Sequence, residues 1–74
     1  MDMTNIEIDK IDNPVEREIL KLLEERKKCL YGNILKELAL PVKKGQSIIM
    51  PMLSRGLIRY QDHSFYLELN VKLQ

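Results

Sequence analysis

The sequence predicts an α+β domain in which three helices are followed by a β-hairpin, and three observations predict it. Apolar residues recur at helical spacing in three stretches before Gly56. Breakers separate those stretches at Cys29-Leu30 and at Leu40-Pro41. After Gly56 the apolar period shortens from about 3.6 residues to about 2, the mark of strands. A chain of 74 residues has room for one such domain and excludes two. Its composition, 45% apolar and 31% charged, is that of a folded globular protein and not of a disordered one.

Residues 1–12 read as an N-terminal arm ahead of a domain over 13–74. In the arm Ile6, Ile8 and Ile11 stand among acidic and polar residues, and Ile6-Glu7-Ile8 alternates like a short strand. No cap or turn signal decides whether the arm packs on the body or frays. Helix one is expected over 14–27. Asn13 is a capping residue, Pro14 suits a first helical position, and Glu16 completes a capping box. Val15, Ile19, Leu20, Leu22 and Leu23 form its apolar stripe. Arg26-Lys27-Lys28 stand at its C-terminal end, where the helix dipole favours cations. That role accounts for the trio without a binding partner.

Cys29-Leu30 is expected as a short extended segment, and helix two over 31–39 with Ile34, Leu35 and Leu38 facing inward. Helix three begins at Lys43 or Lys44, ends near Arg55 and is closed by Gly56. Residues 57–61 and 65–71 read as strands joined by the loop Asp62-His63-Ser64. Strict alternation puts Phe65, Leu67, Leu69 and Val71 on one face of the second strand.

A third helix that ends in Leu53-Ser54-Arg55-Gly56-Leu57-Ile58 and runs straight into a hairpin resembles the winged helix-turn-helix superfamily. Tyr31-Gly32-Asn33-Ile34-Leu35-Lys36-Glu37-Leu38 is similar to the first helix of its helix-turn-helix. The resemblance covers roughly residues 14–71. It implies a winged-helix fold, with helix three as the recognition helix and the hairpin as the wing. It also implies double-stranded DNA as partner, and a small transcriptional regulator as the function.

Charge is distributed in a way that agrees with an anionic partner. Residues 1–25 carry three cations against eight acids, a net of −5. Residues 26–61 carry eight cations against Glu37 alone, a net of +7, and residues 62–74 carry a net of −1. A basic middle between acidic ends is the pattern expected of a surface that docks on phosphates.

On helix three, Gly45, Ile48, Ile49 and Met52 share the inward face, while Lys43, Gln46, Ser47, Met50 and Ser54 share the outward one. Lys43, Lys44, Gln46 and Ser47 are therefore the expected groove and backbone contacts. Met50 is suited to a thymine methyl, and Lys36, Arg55 and Arg59 to further phosphates. Three features favour an alternative, a protein-binding module within a larger assembly. The outward face of helix three lacks arginine, the loop 62–64 carries an acid, and Met50-Pro51 is apolar and outward. Pro51 inside the helix removes one hydrogen bond and predicts a bend.

The remaining features are given bland readings. His63 is a lone loop histidine, and Cys29 lies far from it in sequence, so neither a metal nor a cofactor is expected. Cys29 reads as a small apolar residue, although the cations beside it would lower a thiol pKa if it sensed redox state. The tyrosines lack the spacing of a single-strand platform, and the glycines form no phosphate loop. No nucleophile–base set and no paired carboxylates with a cleft are present, so no enzyme is expected. One cysteine, a polar N-terminus and no apolar run near ~18 residues predict a cytoplasmic protein with no membrane contact. The three isoleucines of the arm predict a homodimer, assembled through residues 1–12 or helix one.

Overall fold

Asn13 opens the first long element. The structure, a computed structural model, describes residues 4–74, so residues 1–3 of the expected arm lie outside the described residues. The Asn13 Oδ1 accepts the Val15 and Glu16 N–H groups at 2.8 and 3.4 Å, and Pro14 has no N–H to leave unpaired. Helix α1 follows over Pro14–Arg26 and buries Ile19, Leu20 and Leu23. Only half of the expected capping box forms. The Glu16 carboxylate does not return to Asn13; it accepts the Arg55 guanidinium at 3.0 and 3.1 Å. That partner lies 39 residues away, beyond the reach of a local pattern.

The N-terminal segment is part of the same packing unit. Strand β1 (Thr4–Ile6) and a 3-10 turn (Ile8–Lys10) lead to Ile11, which is buried, while Ile6 and Ile8 pack against the core. Arg17 donates to the Ile11 carbonyl and ties this segment to α1. The isoleucines that motivated a dimer are thus taken up by the chain's own core.

Strand β2 (Cys29–Leu30) runs directly into helix α2 (Tyr31–Glu37). Helix α2 stops two residues short of the expected end because Ala39 turns to φ 53°. Ala39 N–H then donates to the Lys36 carbonyl at 3.3 Å and Leu40 N–H to that of Leu35 at 2.8 Å, a Schellman closure. Helix α3 (Val42–Ser54) ends the same way on Gly56 at φ 77°, with Gly56 N–H to Leu53 at 3.1 Å and Leu57 N–H to Met52 at 3.0 Å. Glycine suits that second closure because it carries no Cβ penalty at positive φ. Helices α2 and α3 meet at the buried Gly45, where a Cβ would overlap the Leu35 side chain. Pro51 lies well inside α3, so the bond it cannot make to the Ser47 carbonyl is lost in full.

Strands β3 (Ile58–Tyr60) and β4 (Tyr66–Leu69) form the expected hairpin, with Arg59 opposite Glu68. A third strand joins it: β2 pairs antiparallel on the other edge of β4, giving the order β2-β4-β3. The second expected strand is two pieces. Asn70 donates its N–H to the Leu57 carbonyl and its Nδ2 to that of Gly56, each at 3.0 Å, which turns the chain after Leu69. Strand β5 (Val71–Leu73) then pairs parallel with β1, Thr4 opposite Val71. The expected inward face is corrected accordingly. Leu67 and Val71 are buried and Leu69 is partly so, but Phe65 is 84% exposed at the hairpin tip.

One core serves all these elements. Ile19, Leu20 and Leu23 of α1 meet Ile34 of α2, Ile49 and Met52 of α3, Ile58 of β3 and Leu67 of β4, all essentially inaccessible. Burying each contributes about 1.5–3 kcal/mol, so the orientation of α3 is set by its inward side chains and not by its surface.

Candidate nucleic-acid interface

Because Gly45, Ile48, Ile49 and Met52 point into the core, the helical repeat turns Lys43, Gln46, Ser47, Met50 and Ser54 outward. All five are exposed, as is Lys44. Helix α3 contains no acidic residue. Its N-cap is Pro41, which offers no side-chain acceptor to the first turn. Lys43 and Lys44 occupy that turn, where the helix dipole disfavours cations. The Ser47 hydroxyl donates to the Lys44 carbonyl at 2.8 Å, which leaves its oxygen lone pairs facing solvent. Two apolar side chains share the helix surface, Val42 at 62% and Met50 at 58% exposure.

The other three expected contacts are not part of this group. Arg55 holds the Glu16 carboxylate between the two helices. Arg59 donates from Nε to Glu68 Oε2 at 2.7 Å across the hairpin, and Gln61 Nε2 donates to Oε1 at 3.0 Å. These donors hold the Glu68 carboxyl below the usual glutamate range, the Arg59 hydrogen bond first among them. Each arginine is thus neutralised in part by a carboxylate, while its remaining guanidinium N–H groups stay open to solvent. Lys36 is exposed in the last turn of α2 and lines a separate cleft with Arg26, Lys28, Asn33, Glu37 and Tyr66.

That cleft was not legible as a site in the sequence, where the trio at 26–28 has a sufficient reason at a helix end. The signal that it held was positional. Lys27 closes α1 at φ 73°, so Lys28 falls just beyond the C-cap. Its Nζ stands over the Tyr66 ring, 4.6 Å from the centroid. Cys29 forms part of the wall. Burial pushes its thiol up from the ordinary value, Arg26 opposes this, and Glu37 adds to it. Cys29 is buried, as its reading as a small apolar residue expects, and desolvation outweighs the effect of the neighbouring cation.

The hairpin tip is held by its own hydrogen bonds. Gln61 N–H donates to the Tyr66 carbonyl at 2.9 Å, Ser64 N–H to that of Gln61 at 3.2 Å, and Tyr66 N–H to Ser64 Oγ at 3.0 Å. His63 sits between them at φ 57°. Among the described residues no group of three or more His, Cys, Asp or Glu side chains is disposed to hold a metal. No helix among them is long and apolar enough to cross a membrane. No family model, curated protein or solved structure matches this chain.

Proposed function

We propose that the chain is a winged-helix domain that binds duplex DNA through the outward face of α3 and acts as a small transcriptional regulator. The observation that carries the reading is the first half of α3. Lys43, Lys44, Gln46 and Ser47 are exposed there on a helix with no acid, and both lysines stand where they weaken the isolated fold. A phosphate or base edge reverses that penalty. The element order supports the same reading, because a helix of 13 residues has the length to fit a major groove and a β3–β4 hairpin follows it in the chain, the order of a recognition helix and a wing. A homodimer on two half-sites, assembled through the N-terminal segment or α1, would have Ile6 and Ile8 only in part, since both already pack against the core.

The test is titration of mixed-sequence duplex DNA at ~50 and ~200 mM salt, where counterion release makes affinity fall steeply. Lys43→Ala with Lys44→Ala should weaken binding to every sequence and flatten the log–log salt slope by about 2. No binding at low salt transfers the surface to a second reading, a protein-binding module. Exposed Val42 and Met50, with Arg55 and Arg59 already paired, are what favour that alternative.

A further inference from the structure

The cleft between the end of α1, β2 and α2 is lined by a charge set that the α3 surface does not use. It is an open cleft of about 640 Å³, within the range of small-molecule sites. Arg26, Lys28 and Lys36 line it against one carboxylate, that of Glu37. Arg26 already holds Glu37 at 3.2 Å. Lys28 and Lys36 have no carboxylate partner among the described residues. The lining therefore carries a formal +2, concentrated in a concavity where like charges repel.

We propose that this cleft binds the phosphate group of a small soluble phosphate ester, at a site separate from α3. A phosphate monoester carries about −1.5 to −2 charges at neutral pH, which matches the lining where a single carboxylate does not. Lys28, with its ammonium over the Tyr66 ring, and Lys36, in the last turn of α2, line the cleft from different elements, so both are available to one phosphate. The exposed Asn33 amide adds N–H donors for the remaining oxygens. The space exceeds what a bare phosphate fills, and the half-buried Tyr66 ring lies in the wall for the organic part. This is binding alone and involves no covalent step.

The test is amide chemical-shift titration of the full chain with inorganic phosphate, adenosine monophosphate and, separately, a short DNA duplex. The two small phosphates should give saturable shifts at Asn33, Lys36 and Tyr66, with adenosine monophosphate tighter and half-saturating below ~1 mM. Lys28→Gln with Lys36→Gln should weaken that binding at least about tenfold, and Lys36→Gln alone should weaken it measurably. Lys43→Ala with Lys44→Ala should leave it unchanged. Absence of saturation by ~10 mM, or equal affinity in the glutamine variants, overturns the proposal. So does a cleft that responds to duplex but to neither small phosphate, because the site then belongs to DNA. Loss of duplex binding on α3 with phosphate binding retained leaves this proposal standing without the DNA reading.

Discussion

Helices α1 and α3 are both 13 residues long and both bury one apolar face in the same core, but their first turns have opposite electrostatics. Helix α1 starts with an asparagine cap, a proline at its first position and an acid, each of which offsets unpaired N–H groups or the dipole. Helix α3 starts with an uncapped proline and two lysines, and carries a second proline in its interior. Packing is common to both, since Ile19, Leu20 and Leu23 have counterparts in Ile48, Ile49 and Met52. What separates them is the surface. The first turn of α1 is satisfied within the chain, whereas that of α3 carries two cations and no side-chain cap, and the Glu16–Arg55 pair ties the two helices together.

The largest expected effect is at Pro51. Pro51→Ala restores a donor to the Ser47 carbonyl and should stabilise the fold by up to about 3 kcal/mol, less what the freer unfolded chain recovers. Thermal melting reads the gain directly. A shift in duplex affinity alongside it would show that the proline sets the angle of the N-terminal half of α3. An unchanged melting temperature would mean that α3 loses nothing at this residue, and the contrast with α1 would narrow.

Next comes the link between the helices. Arg55→Ala leaves the nearly buried Glu16 carboxylate without its partner and should cost about 1–3 kcal/mol in denaturant unfolding. Glu16→Gln should cost less, because the Arg55 side chain is half exposed and regains water. Equal costs would show that the pair acts through packing and not through charge.

The first turns themselves should respond in opposite directions. Asn13→Ala removes the α1 cap and should destabilise by about 1 kcal/mol. Lys43→Glu and Lys44→Glu should each stabilise by about 0.3–1 kcal/mol through the dipole, while abolishing duplex binding. Paired melting and titration measurements separate the two effects. Glutamates that destabilise would remove the claim that α3 is built against its own dipole.

The smallest effect lies outside both helices, at Glu68. Its carboxyl is held below the ordinary range in the folded state, so its contribution is present above the unfolded glutamate range and is lost as pH falls through the lower folded value. Stability should therefore show no Glu68 effect between about pH 6 and 8 and a small loss at acid pH. Carboxyl-resolved NMR titration checks this, and Arg59→Ala should move Glu68 back toward its ordinary value.

The sequence by itself determined the three helices, the hairpin and the face that α3 turns outward, because each rests on periodicity and caps within a dozen residues. Ile48, Ile49 and Met52 define an inward stripe, and Lys43, Gln46 and Ser47 are outward by elimination. Only tertiary structure decided the rest. Pairing of β2 with β4, and of β1 with β5, depends on groups far apart in sequence that no local pattern records. Phe65 alternates correctly for burial yet stands 84% exposed, because the tip hydrogen bonds carry it past the end of the ladder. Arg55 and Arg59 read as free cations until Glu16 and Glu68 are brought to them. Lys28 and Lys36 read as unrelated until the fold sets both on one cleft. Side-chain direction follows from local geometry, but a charge is free or paired only by virtue of what the rest of the chain brings beside it.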